Sequence, residues 1–138
     1  MIRVQTEDFD ISKEIATLAG GRTDIGAVVT FSGLVRDVML TLEHYPGMTE
    51  RELGKIEAEA NARWKLQGVS IIHRVGELAP GDNIVLVITA SAHRKDAFEA
   101  AEFLMDYLKT RAPFWKREGE DWVEAKASDD EAADRWKK

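Results

Sequence analysis

The sequence predicts a single α+β domain of 138 residues, with a mostly antiparallel sheet and packed helices. Segments with strand periodicity alternate with segments with helical periodicity along the chain. Two apolar, β-branched runs, 69–75 and 84–90, meet through Pro80-Gly81-Asp82, which is typical of an antiparallel pair. No repeat, low-complexity tract or linker divides the chain, so residues 1–138 are expected to form one domain.

The first third of the chain predicts a strand, a helix and a pair of strands. Residues 2–6 alternate as a short strand, and Asp10 is expected to open a helix that ends at Gly20-Gly21. Residues 26–35 predict a buried strand, and residues 40–45 are expected to pair with it.

The remainder predicts two further helices and two short strands. Thr49 and Glu52 predict a capping box for a helix that reaches about Trp64. A stripe of apolar residues predicts a long helix from about Ala92 to Arg111. Two short strands are predicted at 114–118 and 122–125. The tail from about 128 onward is expected to be frayed or helical.

The composition excludes several functional classes. A net charge of -6 and a pI near 5.1 argue against a general nucleic-acid binder. No apolar run approaches the roughly 20 residues that span a bilayer, and the first residues resemble neither a signal nor a transit peptide, so a cytoplasmic location is expected. The absence of cysteine excludes disulfides, thiolate metal sites and a cysteine nucleophile, and the three histidines lack a zinc spacing. Neither a metal nor a cofactor is expected.

The stretch 105–118 concentrates positive charge in an acidic protein. Lys109, Arg111, Lys116 and Arg117 fall within nine positions on both sides of a proline. Such a cluster in a protein of net charge -6 predicts a site for an anion such as a phosphate or a carboxylate.

Two lysines of this stretch are candidate catalytic groups. Lys109 lies at the border of the apolar helical stripe, where partial burial would lower its pKa. Lys116 follows Pro113 on a different element, so it can approach Lys109 from another direction, and two converging ammonium groups would bind one anion jointly. The alternative is that each lysine extends its ammonium group into water as an ordinary surface residue.

Three further residues are candidates for anion binding. His93 and Arg94 follow Ser91 where a strand meets a helix, and the free N–H groups at that helix end favour an anion. The alternative is that Ser91 only caps the helix and the other two are surface residues. Arg36 ends a predicted strand, where it can clamp a phosphate or simply mark where the strand meets water.

Several motifs, in order, resemble the large, catalytic subunit of molybdopterin synthase, and the resemblance runs from about Gly26 to Ala125. The motifs are Leu-Thr-Leu-Glu-His-Tyr-Pro-Gly-Met (40–48), His-Arg-Val-Gly-Glu-Leu-Ala-Pro-Gly-Asp (73–82), Ser-Ala-His-Arg (91–94) and Asp-Tyr-Leu-Lys-Thr-Arg-Ala-Pro-Phe-Trp-Lys-Arg-Glu (106–118). The resemblance implies an α/β-hammerhead type of fold and a homodimeric core. It also implies a heterotetramer, in which a small ubiquitin-like sulfur carrier at each end inserts a C-terminal Gly-Gly thiocarboxylate into the active site.

The reaction implied by the resemblance converts cyclic pyranopterin monophosphate to molybdopterin by installing two dithiolene sulfurs. Lys109 and Lys116 match the essential lysines of that family. The working hypothesis is that Lys116 polarises or protonates the reacting thioester or substrate oxygen and that Lys109 neutralises the incoming carboxylate, although the roles can be exchanged.

The same resemblance implies the remaining site residues. Arg36, His93 and Arg94 would hold the pterin phosphate, some of them in the site of the neighbouring protomer. Phe31 and Met105 would line the channel for the carrier tail.

One departure and two alternatives accompany the resemblance. Only residues 37–39 separate Arg36 from Leu40, where the family usually has a longer polar loop, and this weakens the role of Arg36. A non-catalytic module that docks a ubiquitin-like tail would use the same basic groove. An unrelated phosphate-ester enzyme with His93 as acid/base is disfavoured, because the sequence has neither a P-loop nor a clear cluster of metal-binding carboxylates.

Overall fold

A computed structural model of the chain describes residues 1–118, 121–123 and 127–137. The elements in chain order are β1 (Ile2–Gln5), α1 (Ile11–Ala19), β2 (Ala27–Leu34), β3 (Leu40–His44), α2 (Met48–Arg63), β4 (Gly68–Arg74), β5 (Gly76–Leu78), β6 (Asn83–Ser91), α3 (Arg94–Arg111), β7 (Phe114–Glu118), β8 (Asp121–Val123) and α4 (Ala127–Asp134). The strands form two four-stranded sheets, and the predicted α+β class is confirmed. Within the described ranges, no helix is both long enough and apolar enough to cross a membrane.

The first sheet has the strand order β1-β4-β6-β2. Its two central strands, β4 and β6, are antiparallel with Ile71 opposite Val87, as the two β-branched runs predict. β1 lies parallel to β4 at one edge, and β2 lies antiparallel to β6 at the other.

The two faces of the first sheet bury separate apolar clusters, because successive strand residues point to opposite sides. One face, with Ile71 and Val87, packs under α2 and α3. The other face, with Ile72 and Leu86, packs under α1. Burial of each fully buried leucine or isoleucine stabilises the folded state by about 1.5–3 kcal/mol relative to an exposed side chain. α1 begins where predicted, since the Asp10 side chain accepts a hydrogen bond from the Lys13 N–H at 3.1 Å.

The second sheet has the strand order β5-β3-β7-β8, and it corrects the predicted partner of β3. β3 pairs with β5 and β7, whereas β2 pairs with β6. The chain leaves the first sheet at Val35, which is buried and exchanges backbone hydrogen bonds with Gly81 and Asp82. Asp37 then adopts a φ of 70°, and the Val38 N–H donates to the Arg36 carbonyl at 2.8 Å. This tight γ-turn redirects the chain into the second sheet.

The prediction that residues 26–35 form a buried strand is wrong for β2, which lies at an edge of the first sheet. None of its residues is buried, and Phe31 and Leu34 are 41% and 55% exposed. The continuous apolar run of this segment predicted a buried strand. At the edge of the sheet, however, the strand is less buried than that pattern implies.

The predicted capping box at Thr49 and Glu52 is also wrong. α2 begins at Met48, and the Gly47 N–H donates to the Glu50 carboxylate at 3.2 Å. Thr49 lies inside the helix and is fully buried. Its hydroxyl bonds to two other segments of the chain instead of capping its own helix.

Near the C-terminus, β7 forms as predicted, and β8 covers the start of the predicted strand 122–125. Residues 124 and 125 lie outside the described part of the chain. Of the two alternatives for the tail, the helical one is observed as α4. The Trp136 indole packs edge-on against Trp64 and Phe103, with ring centroids 5.6 Å away in each case, and thereby anchors the tail to α2 and α3.

Candidate functional site

Lys109 and Lys116 lie on the two sides of one turn. Lys109 is in the last turn of α3 and Lys116 is in the middle of β7. The helix ends at Arg111, because Pro113 disfavours a helical conformation for the residue before it and has no N–H to donate. The two lysines therefore belong to different elements, and their joint binding of one anion stays a prediction.

The Lys116 side chain lies on the inner face of the second sheet. It is opposite Leu42 of β3, which is buried, and its side chain is 41% exposed. Glu118 follows two residues later on the same strand face, and its carboxylate lies 3.6 Å from the Lys116 ammonium group. Glu118 thus places a negative charge beside the candidate catalytic amine.

Lys109 is exposed, so the predicted partial burial of this residue is not observed. Its positive charge nevertheless contributes to lowering the pKa of His73, so it lies within electrostatic reach of that buried imidazole. The His44 imidazole acts on His73 in the same direction. Residues from α3, β3 and β4 therefore meet beside this turn.

His73 is buried between the two sheets and stacks on Phe114. The two rings are nearly parallel, with centroids 3.8 Å apart and an interplanar angle of 18°. His73 Nδ1 lies 2.8 Å from the Arg74 carbonyl oxygen, which can only accept, so Nδ1 carries the hydrogen. Burial, followed by the charges of Lys109 and His44, lowers the pKa of His73 to about 4. The imidazole is therefore neutral at physiological pH.

The cationic cluster predicted at 105–118 separates into two groups. Arg111 points away toward α2, where it donates to Glu59 at 2.9 Å and lies over the Tyr107 ring. Arg117 lies on the outer face of the second sheet, over the ring of Trp122. Arg111 and Arg117 therefore make their contacts away from the turn, whereas Lys109 and Lys116 lie on its two sides.

His93 and Arg94 lie at the opposite end of α3 from Lys109. His93 is the residue before the helix, Arg94 is its first residue, and both side chains are exposed. Fifteen residues separate Arg94 from Lys109, which corresponds to about 22 Å along a helix axis. One protomer therefore does not bring these two groups together.

The alternative in which Ser91 caps α3 is not observed. Ser91 is the last residue of β6, it is buried, and its hydroxyl donates to the Lys65 carbonyl at 3.0 Å. The helix begins at Arg94, two residues later than predicted, and His93 provides no side-chain hydrogen bond to the helix end.

Arg36 lies near the lysine end of the molecule. α3 follows β6 after a two-residue link and packs back against β6 and β2, so its C-terminal end approaches the start of β6. Leu34, at the end of β2, pairs with Asn83 at that start, and Arg36 follows two residues later. Arg36 is 83% exposed, and its Nε lies 3.8 Å from the Asp37 carboxylate.

Phe31 and Met105 both lie on the α3 side of the first sheet. Phe31 is opposite Val87, which belongs to the cluster under α3. Met105 is half-buried against the same cluster, one helical turn before Lys109. Phe31 is exposed, so its ring is open to a partner along this edge.

Sequence reasoning missed three residues beside the lysines: Thr49, His73 and Glu118. Glu118 follows Lys116 by two positions on a strand, so the alternation of side chains was sufficient to find it. A lone histidine inside the apolar run of β4 was a signal for a buried imidazole, but its ring partner was not visible in the sequence. Thr49 was assigned to a local cap, and its true partner lies 64 residues away.

The described residues contain no group of three or more His, Asp or Glu side chains arranged to hold a metal ion. The titratable side chains near the two lysines include His44, His73 and Glu118.

Comparison with known proteins identifies the family. A family model described as MoaE protein matches residues 4–111, and relatives match nearly the whole chain. The chain belongs to the MoaE family. It is 60% identical to the molybdopterin synthase catalytic subunit of Mesorhizobium japonicum, with 99% of this chain and 92% of that protein covered.

Solved structures agree with this assignment. The molybdopterin biosynthesis MoaE protein from Burkholderia ambifaria is 55% identical with a TM-score of 0.89, over 100% of this chain and 99% of that chain. The crystal structure of molybdopterin synthase from Staphylococcus aureus is 33% identical with a TM-score of 0.78, over 88% of this chain and 91% of that chain.

Proposed function

We propose that this chain is the catalytic subunit of a molybdopterin synthase, which converts cyclic pyranopterin monophosphate to molybdopterin by sulfur transfer. The observation that carries this proposal is the similarity over almost the full chain to relatives named molybdopterin synthase catalytic subunit. The lysine pair beside one turn supports it, since cationic groups stabilise negative charge on a reacting oxygen and on a phosphate.

The sulfur comes from a partner in this proposal. The chain contains no cysteine, so it has no thiol of its own to pass on. The partner is a small ubiquitin-like carrier with a C-terminal Gly-Gly thiocarboxylate. The word subunit in the names of the relatives agrees with such an assembly. The full complex is a homodimer of this chain with one carrier at each end, located in the cytoplasm.

Lys109 and Lys116 are the proposed catalytic residues. Lys116 polarises or protonates the reacting thioester or substrate oxygen, and Lys109 neutralises the incoming carboxylate, unless the two roles are exchanged. The half-buried position of Lys116 and its neighbour Glu118 support a role for Lys116 at the reacting atoms.

The proposed phosphate contacts come from two protomers. Arg94 and His93 are about 22 Å from Lys109 along the helix, so they serve the site of the neighbouring protomer. Arg36 lies at the lysine end of its own protomer and contributes there. Phe31 and Met105, on the α3 side of the first sheet, line the channel for the carrier tail.

The short connection after Arg36 belongs to the same proposal. The alignment with the Mesorhizobium relative spans 147 positions, so that relative has at least nine residues with no counterpart among the 138 of this chain. We place the missing residues between Arg36 and Leu40, where a γ-turn closes a short link. The site is then more open on this side than in the relative.

The experiment is a reconstitution with the purified chain, a thiocarboxylated carrier and cyclic pyranopterin monophosphate. Formation of the dithiolene product is the expected result. A non-catalytic docking module predicts binding of the carrier tail without product. Tail binding measured by calorimetry, combined with no product under the same conditions, would therefore replace the enzyme by the docking module.

A further inference from the structure

The turn between the two lysines is held by the buried hydroxyl group of Thr49. Thr49 Oγ1 donates to the Pro113 carbonyl at 3.0 Å and accepts from the Tyr45 N–H at 3.0 Å. Thr49 is completely inaccessible to solvent. One hydroxyl group therefore connects the end of β3, the first turn of α2 and the α3–β7 turn.

The next residue of the same turn is held from the opposite sheet. The Phe114 ring stacks on the His73 ring at 3.8 Å, and His73 is fixed in turn by its hydrogen bond to the Arg74 carbonyl. His73 belongs to the first sheet and Phe114 to the second. Two consecutive residues, Pro113 and Phe114, thus receive two contacts from distant parts of the chain.

These contacts matter because the lysines belong to different elements. Lys109 precedes Pro113 by four residues on a helix, and Lys116 follows it by three on a strand. The relative position of the two amines therefore depends on the geometry of the turn. Displacements of about 1 Å at a reacting pair can reduce a rate by about a hundredfold.

We propose that Thr49 and His73 are positioning residues, which hold Pro113 and Phe114 so that Lys109 and Lys116 act on one substrate. The proposal rests on the proposed function, since it takes these lysines as the catalytic pair. Thr49 fixes the backbone of the turn, and His73 fixes the first ring of β7. Neither residue contacts the substrate.

The first test compares Thr49→Val with Thr49→Ser. Valine has nearly the same shape but no hydroxyl group, whereas serine retains the hydroxyl group. Thr89→Val is the matched control, because Thr89 is equally buried and donates to the Ala97 carbonyl at 2.7 Å, away from the turn. Both valine variants are expected to lose thermal stability.

Two readouts separate positioning from stability. In free protein with ¹³C-methylated lysines, Thr49→Val is expected to shift the NMR signals of both amines, assigned with Lys109→Arg and Lys116→Arg. Thr49→Ser and Thr89→Val should retain the native signals. In unmethylated protein, Thr49→Val should lower kcat about tenfold to a hundredfold with little change in the KM for the carrier. Thr49→Ser should restore most of kcat.

Unchanged lysine signals and unchanged kcat in Thr49→Val would overturn the proposal, as would equal effects of Thr89→Val. The NMR readout requires no turnover, so it tests the positioning of the amines even if the proposed reaction is wrong. Conversely, absence of product with the wild-type chain would remove the proposed function without changing the NMR result.

His73 provides a second, independent pair of variants if Thr49→Val does not fold. His73→Phe keeps a ring against Phe114, and His73→Asn keeps a hydrogen-bond donor but no ring. The proposal predicts native lysine signals and substantial kcat in His73→Phe, with both lost in His73→Asn. The reverse order would exclude the ring stack as the positioning contact.

Discussion

At the scale of single residues, replacement by arginine is expected to affect activity differently at the two lysines. Arginine keeps the positive charge but does not release its proton near neutral pH. If Lys116 transfers a proton, Lys116→Arg should lose activity almost as fully as Lys116→Ala, by about a hundredfold or more. Lys109→Arg should retain a larger share of kcat, because a charge that neutralises a carboxylate can be supplied by either side chain. Steady-state kinetics with saturating carrier measures both.

The outcome assigns the roles. If Lys109→Arg is inactive and Lys116→Arg is active, the two roles are exchanged. Full activity in Lys116→Ala, with the carrier still bound, would remove Lys116 from the mechanism.

His73 gives a prediction for the pH dependence of stability. Its pKa in the folded protein is about 4, compared with 6.5 for a free side chain, so the unfolded state binds more protons between these values. Stability from this group is complete above about pH 6.5 and is lost as the pH falls toward 4. Between pH 7 and pH 5 the loss is about 2 kcal/mol. The charged or titratable groups that lower this pKa are Lys109 on α3 and His44 on β3.

Urea denaturation at pH 7 and pH 5 measures this effect. In His73→Asn the free energy of unfolding should be lower overall, and its change between the two pH values should be smaller by about 2 kcal/mol. An equal change in wild type and variant would mean that His73 is protonated in the folded protein at pH 5.

At the scale of elements, α4 is expected to stabilise α3. The Trp136 indole donates to the Asp106 carboxylate at 2.7 Å and packs edge-on against Phe103. Trp136→Ala should lower the free energy of unfolding by about 2–4 kcal/mol, since it removes a half-buried ring and leaves Asp106 without this donor. Trp136→Phe should cost about 1 kcal/mol, because it retains a ring. Denaturation curves measure both, and a loss below about 0.5 kcal/mol in the alanine variant would show that α4 is not anchored this way.

The elements also show what the sequence can predict. The β4–β6 pair, α1, α3 and β7 follow from local periodicity and turn residues, which report on nearby chain. The pairing of β3 with β7 does not, because these strands lie far apart in sequence and their association is decided by tertiary packing. The capping box at Thr49 was wrong because α2 begins at Met48, one residue before Thr49, and the Thr49 hydroxyl group accepts from the Tyr45 N–H and donates to the distant Pro113 carbonyl.

The same distinction between local and distant contacts explains which site residues could be predicted from the sequence. Motif matching identified Lys109 and Lys116, and the structure places them on both sides of one turn. The local charge pattern could not separate Arg111 from them, because its partner Glu59 lies 52 residues earlier. The roles of the site residues stay predictions.

At the scale of the whole molecule, the length of α3 bears on how the proposed site is assembled. The helix spans 18 residues, or about 27 Å, with His93 and Arg94 at one end and Lys109 at the other. In the proposed function, a phosphate held by Arg94 would lie about 22 Å along the helix from Lys109 of the same protomer. The proposed site therefore combines opposite helix ends from two protomers of a symmetric dimer.

Complementation in mixed dimers tests this arrangement most directly. Lys116→Ala and Arg94→Ala protomers, each inactive alone, are to be refolded together at equal amounts, with two affinity tags to verify mixed dimers. Each mixed dimer then contains one intact site, so about a quarter of the wild-type activity should return. A mixture of Lys116→Ala with Lys109→Ala is the control and should stay inactive, because both lysines come from one protomer. No recovery in the first mixture despite verified mixed dimers, or recovery in the control, would contradict the composite site.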